Sequence, residues 1–322
     1  MSQAGARPNT ASASIAEVTC YSQSLKREKP GFLARHLGGP LREILIALAV
    51  LTVVCTVFLA AMPWLLRKRN VEMRRTKFGV TLVFDAENAD GTPVRLINVN
   101  GTFQSGCYVP EDLRFQLACE YHREMARVIE DLVAERGRTA ESPLRVLVMG
   151  GGGYSLPKYL AAYVPEARVD VVEIDPAMTE LAREFFFLDE CLKKTGAEKD
   201  GRLRLVNDDA WAFVRAAAEP YDVIVNDAFS GNRPLGPLTG AEGARVVREH
   251  LAADGVYLAN VRCACEGRRA RALDEVVDAF GHEFAHVGYV AEWPDEPHKP
   301  GNNVLLATSA RGVMPRAARV VR

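Results

Sequence analysis

Hydrophobic residues recur along the chain with three different spacings, and each spacing predicts a different element. The first is no spacing at all. Ile44 to Leu66 reads ILIALAVLTVVCTVFLAAMPWLL, 23 positions without a charged residue. A bilayer core about 30 Å thick takes roughly 20 helical residues, so this run is long enough to span. A buried core helix is rarely apolar on every side over such a length. A cleavable signal would not carry 43 residues ahead of it and Arg67-Lys68-Arg69 behind it. The expectation is one transmembrane helix over 44–66, with Pro63 near its end, where a broken hydrogen bond costs least, and Trp64 at the headgroup level. Arg67, Lys68, Arg69, Arg74, Arg75 and Lys77 crowd its C-terminal side, against Lys26, Arg27, Lys29, Arg35 and Arg42 spread over the other. The denser cluster predicts a single-pass protein of the cell membrane with its C-terminal domain in the cytoplasm.

The second spacing is alternation. From Gly79 the chain reads GVTLVFDAENADGTPVRLINVNGTFQSGCYV, two β-rich runs around Asp90-Gly91 and a third approached through Asn100-Gly101. This predicts a small antiparallel sheet. Residues 113–135 then place apolar side chains at helical spacing without Gly or Pro, and predict a helix. Arg138 to Pro143 reads as a linker.

The third is an alternation of whole elements: RVLVMGGGG, LPKYLAAYV, RVDVVEID, PAMTELAREFFF, RLRLVNDD, AWAFVRAAA, YDVIVNDAF. Four strand-then-helix units in a row predict an α/β fold, a doubly wound, Rossmann-like parallel sheet with helices on both faces. ALDEVVDAF reads as a further helix, and AHVGYVA and NNVLLAT as closing strands. The expected organisation is a polar tail over 1–43, the span over 44–66, a β-hairpin and helix domain over 67–142, a nucleotide-binding domain over 143–309 and a basic tail over 310–322.

Composition removes several classes. With 40 Lys+Arg against 41 Asp+Glu the chain is no globally basic nucleic-acid binder, and 48% hydrophobic residues exclude a disordered chain. Seven cysteines without C-x-x-C spacing read as free thiols in a reducing compartment, and no His/Cys set suggests a metal.

Candidate chemistry lies at the carboxyl ends of the strands, where open α/β sheets bind ligands. Gly150, Gly151, Gly152 and Gly153 follow the first strand and precede a helix, a context that lets backbone approach a nucleotide. A tight turn without ligand has the same signature. Glu173 ends the second strand about twenty residues later, where an acid accepts hydrogen bonds from both ribose hydroxyls. Asp175, followed by Pro176, suits a helix N-cap. Asp208 and Asp209 end the third strand, placed to meet an adenine amino group or to cap the next helix. Asp227 ends the fourth, as a base or amine-binding group, with turn-capping by Asp227 or Asn226 as the alternative.

The hairpin module followed by VLVMGGGG, VVEID, NDDAWAFV and VIVNDAF resembles the polyamine aminopropyltransferases, the spermidine synthase family, whose fold belongs to the class I S-adenosylmethionine-dependent methyltransferases. The resemblance covers about residues 80 to 309. It implies that Gln104, in INVNGTFQS, binds the donor, and that Tyr121 and His122, in EYHREM, contact the acceptor, each to within one position. It also implies Glu173 on the ribose, Asp209 beside the adenine and Asp227 helping to deprotonate an attacking amine. Two departures stand out. Gly153 replaces the family's acid in Gly-Gly-Gly-Asp-Gly, and Ser230 replaces the second Asp of the amine-binding loop. Ser230 supplies a hydroxyl where a diamine needs charge, and Gly153 removes the repulsion that would exclude the carboxylate of S-adenosylmethionine.

The resemblance therefore implies a transferase that takes S-adenosylmethionine or its decarboxylated form and moves an aminopropyl or related alkyl group to a small-molecule amine. The alternatives are an S-adenosylmethionine-dependent methyltransferase and a non-catalytic, membrane-tethered nucleotide-binding protein. The expected partners are the amine acceptor, the lipid bilayer and, by resemblance only, a second copy in a homodimer. No nucleic acid and no metal are expected.

Overall fold

The computed structural model describes residues 39–230, 233–234, 236–315 and 317–321. Most of the expected polar tail, residues 1–38, lies outside them. The chain divides into two units, Met1–Met62 and Pro63–Arg322. Helix α1, Gly39–Arg67, is longer at both ends than the apolar run predicts. Its 29 residues would reach about 43 Å at 1.5 Å per residue. The stretch Leu41–Arg67 has mean hydropathy 2.9 and is unburied, so this is one helix long and apolar enough to cross a membrane. Its two hydroxyls, on Thr52 and Thr56, donate to the carbonyls of Leu48 and Thr52, which satisfies them without water.

The second unit opens with four antiparallel strands, β1 Val71–Thr76, β2 Gly79–Glu87, β3 Pro93–Val99 and β4 Thr102–Tyr108, paired in that order. The β3–β4 turn has positive φ at both Asn100 (49°) and Gly101 (85°), the geometry that makes Asn-Gly the favoured two-residue hairpin loop. Strand β1 is an addition to the sequence reading. Its VEMRRT is dominated by charge, which masks the alternation, and Glu72 bonds Arg74 across the same strand.

Helix α2 runs Glu120–Glu135, seven residues shorter at its start than the periodicity predicts. The preceding stretch makes turns instead, with Leu113 N–H on Pro110 C=O and Gln116 N–H on Leu113 C=O. There follow β5 Leu144–Met149, α3 Ser155–Tyr163, β6 Ala167–Glu173, α4 Pro176–Phe185, α5 Leu188–Thr195, β7 Leu203–Asn207, α6 Ala210–Arg215 and β8 Tyr221–Asn226. Two short strands, β9 Phe229–Ser230 and β10 Arg233–Pro234, lead to α7 Ala241–His250, β11 Leu251–Cys263, α8 Arg271–Gly281, β12 His286–Val290, β13 Gly301–Thr308 and β14 Arg319–Val320.

The large sheet has the order β14-β12-β13-β11-β8-β5-β6-β7. Strands β7, β6, β5, β8 and β11 are parallel, and β13 joins antiparallel. Each central strand feeds two cores. Val146, Val148, Val223 and Val225 face α2 and α3, while Leu147, Met149 and Ile224 face α7 and α8. That division is the doubly wound, Rossmann-like fold. From β5 the chain runs outward through β6 and β7, then returns to place β8 on the other side of β5. The strand order reverses there, which opens a crevice at the carboxyl ends of β5 and β8.

Candidate active site

The crevice is a cavity of about 250 Å³. Gln104 and Ser105 of β4, His122 of α2, Gly150 to Gly152 after β5, Glu173 at the end of β6, Asp209 after β7 and Asp227 after β8 all line it.

The glycine turn exists because two loops nearly touch. A Cβ on Gly150 would lie 2.7 Å from the carbonyl of Asp227, and its φ is +97°. No other residue fits both conditions. Glu173, buried at 6% exposure, braces this turn. Its Oε2 accepts from the N–H of Gly151 (2.8 Å) and of Gly152 (3.1 Å), and its Oε1 from the N–H of Asp175 (2.9 Å). Of four lone-pair positions one is left, so both ribose hydroxyls can be held only if a loop bond is exchanged. The Asp175 side chain caps α4, accepting from Ala177 N–H, and also takes the N–H of Lys77.

Asp209 lines the cavity and also caps α6 through the N–H groups of Trp211 and Ala212, so both sequence-level readings meet on one carboxylate. Asp208 is exposed, accepts from the N–H of Asp209 and does not line the cavity. Ser230 contributes backbone to β9, and its side chain lies outside the described residues.

Asp227 accepts three hydrogen bonds, as Glu173 does, but from side chains. Its Oδ2 accepts from Tyr121 Oη (3.2 Å) and His122 Nε2 (2.9 Å), and its Oδ1 from Asn260 Nδ2 (3.0 Å). The turn after β8 is held by Asn226, whose Oδ1 takes the N–H of Ala228 while its Nδ2 donates to Tyr257 Oη. Asn226 therefore serves the turn and leaves Asp227 to the cavity. Burial disfavours a charged His122, but the hydrogen bond to Asp227 and the charge behind it outweigh burial and raise its pKa to about 9. Burial, then the charge of Asp227, pushes the Tyr121 phenol well above its ordinary value. Tyr121 and His122 are thus second partners of Asp227, as neighbours on the first turn of α2.

Beside the first cavity lies a second of about 130 Å³, which shares Gln104, Ser105, Asp227 and Phe229 with it and adds Leu96, Phe103, Tyr121, Asn260 and Arg262. Asn260 was not foreseen. Its Oδ1 is buried without a hydrogen-bond partner among the described residues, an acceptor aimed beside Asp227. The signal was present, since Asn260 interrupts the apolar run VYLANV near the carboxyl end of a strand.

Gly153 departs from expectation in its cause. Its φ is not positive, so backbone strain is not the obstacle to a side chain there. Packing is. A Cβ would sit 2.7 Å from Ser105 Oγ and 2.9 Å from Phe186 Cδ1.

Residues 122–278 match the spermine/spermidine synthase domain. The chain carries a spermidine synthase-like domain. Its curated relatives are transferases of two kinds. It is 30% identical over 178 residues to the mouse eEF1A lysine and N-terminal methyltransferase, covering 52% of this chain and 24% of that protein. It is 31% identical over 121 residues to the polyamine aminopropyltransferase of Vibrio vulnificus, covering 37% of this chain and 38% of the other. The chain thus spans well under half the length of either. Among solved structures, a probable spermidine synthase from Corynebacterium glutamicum superposes with TM-score 0.59 at 24% identity, over 74% of this chain and 80% of that one. That likeness shows the Rossmann-like methyltransferase fold with its N-terminal antiparallel sheet. Outside the matched stretch, the small sheet brings Gln104 and Ser105 to the cavity beside the glycine turn.

Proposed function

We propose that the chain is a membrane-anchored transferase that binds an adenosyl sulfonium donor in the first cavity and alkylates an amine held in the second. Its donor is S-adenosylmethionine and the group moved is methyl. The observation that carries this reading is the crowded environment of Gly153, where an acid would have to push Ser105 and Phe186 aside. Without a carboxylate there, the site neither holds the amine of a decarboxylated donor nor repels the donor carboxylate.

Glu173 and Asp209 take the nucleoside, with Gly150 to Gly152 giving backbone access. The amine stands between Asp227 and the free Oδ1 of Asn260. It attacks the methyl carbon in line with the sulfonium; the N–C bond forms as the C–S bond breaks, and the electron pair stays on sulfur. The released proton passes to Asp227, which the protonated His122 holds in place through its Nε2–H bond. Aminopropyl transfer is the second reading, supported by the β4 strand that brings Gln104 to the site. Helix α1 anchors the enzyme, with the basic residues after it on the cytoplasmic side.

The test is calorimetry of the full chain with S-adenosylmethionine, its decarboxylated form and methylthioadenosine, followed by product analysis with amine acceptors. Tight binding of S-adenosylmethionine and methylated product support the reading. Preference for the decarboxylated donor with spermidine formation from putrescine overturns it in favour of the second. Ligand binding without turnover of any amine overturns both.

A further inference from the structure

The small sheet has two apolar faces where one would suffice. Thr81, Val83, Ile97 and Val99, on its inner face, are 0–8% exposed. The outer face aligns Met73 with Leu82, Arg75 with Val80, and Phe84 with Leu96. Phe103 sits opposite Asn98 on the same face, its ring 6.3 Å from that of Phe84. Val80 and Phe103 are 49% and 58% exposed, and Leu82, Phe84 and Leu96 are partly so. A wetted face of an antiparallel sheet ordinarily carries polar residues.

Arg75 stands on this face, and further cations lie in the chain on either side of β1. Lys68, Arg69, Arg75 and Lys77 are exposed and form no ion pair among the described residues, and Lys68 Nζ lies 3.8 Å from the centre of the Trp64 ring. Three residues, Lys68 to Asn70, separate the end of α1 from β1.

We propose that the outer face of the β1–β4 sheet rests in the headgroup region of the bilayer that α1 enters, its apolar residues at the acyl boundary and its cations on anionic headgroups. The proposal rests on reading α1 as a membrane span. Charge favours lipid over a second copy, because two-fold pairing of this face would bring its unpaired cations together. Leu96 and Phe103 also wall the second cavity, so that cavity opens at the bilayer surface and the acceptor reaches Asp227 from there.

The test places the full chain in phosphatidylcholine nanodiscs, with and without phosphatidylserine, carrying a trace of lipid with a photoactivatable group near the headgroup. Adducts are mapped by mass spectrometry. Adducts at Phe84, Leu96 and Phe103 that increase with phosphatidylserine support the proposal. In the Arg69→Glu/Arg75→Glu variant the increment should fall, by about fivefold per cation removed. Phe103→Asp should lose the sheet adducts and keep those on α1. Adducts on α1 with none on the sheet overturn the proposal and leave the span standing. No adducts on α1 overturn the span and the proposal with it.

Discussion

Replacing Glu173 tests whether the donor site is built around one carboxylate. In the ligand-free fold that group accepts three backbone N–H bonds, at 2.8, 3.1 and 2.9 Å. Charge-assisted bonds of this kind contribute about 1.5–3 kcal/mol each, but they do not sum. Gly151 and Gly152 line the cavity, so water can replace the lost acceptor for two of the three. The N–H of Asp175, a residue 2% exposed, stays unpaired. Glu173→Ala should therefore destabilise the second unit by about 2–4 kcal/mol, dominated by that one orphaned donor. For a unit of this size the melting temperature falls by roughly 4–16 °C. Glu173→Gln keeps one oxygen and turns an amide donor toward the other site, and should lose about half as much.

The assays are thermal melts of the full chain in detergent and hydrogen exchange at Gly151 and Gly152. Binding of methylthioadenosine is measured in parallel and should weaken at least tenfold in both variants, because the turn loses its brace as the ribose loses its acceptor. A Glu173→Gln protein that melts with the wild type and exchanges those amides at the same rate would refute the bracing argument. Weakened binding in such a protein would then belong to the ribose contact alone.

Three further outcomes follow from the same geometry. His122 has its pKa raised from 6.5 to about 9, so its contribution to stability is complete below pH about 6.5 and is lost as pH rises through about 9; the stability gap between wild type and His122→Gln, read from denaturant midpoints, should narrow over that window, and a pH-independent gap would count against the His122–Asp227 pair. Gly153→Asp should cost stability of about 1–3 kcal/mol through its clash with Ser105 and Phe186, and Gly153→Asp/Ser105→Gly should recover part of it in melts; full stability of the single variant would show that the packing is looser than described. Asn260→Leu should lower methyl transfer at least tenfold while methylthioadenosine binds nearly as before, because Asn260 lines the second cavity and reaches the first only through Asp227, which keeps its Tyr121 and His122 partners; loss of donor binding would place Asn260 elsewhere in the mechanism.

Much of this was legible in the linear chain because backbone periodicity is a local property. Runs such as VLVM and VIV are apolar at every position, as strands buried on both faces must be, and their order alone gave the doubly wound sheet. The carboxyl-end positions of Glu173, Asp209 and Asp227 followed from the same strands, since a strand's end is where its next side chain meets the crevice. Helix α5 and strand β1 were hidden, the former behind the charged residues of LDECLKKT, little more than two turns long, the latter behind VEMRRT.

Tertiary structure decided what those side chains touch. That Glu173 grips the glycine turn, that Asn226 and not Asp227 serves the β8 turn, and that Asn260 reaches Asp227 from 33 positions away all depend on loops from different strands converging. Gly153 makes the contrast plain. Its identity was visible at once, and what an acid there would have to push aside is Ser105 on β4 and Phe186 after α4, two residues that only folding brings to it. Spacing along a chain fixes which face a residue takes, and the partner across the gap is set by packing between elements that the spacing does not encode.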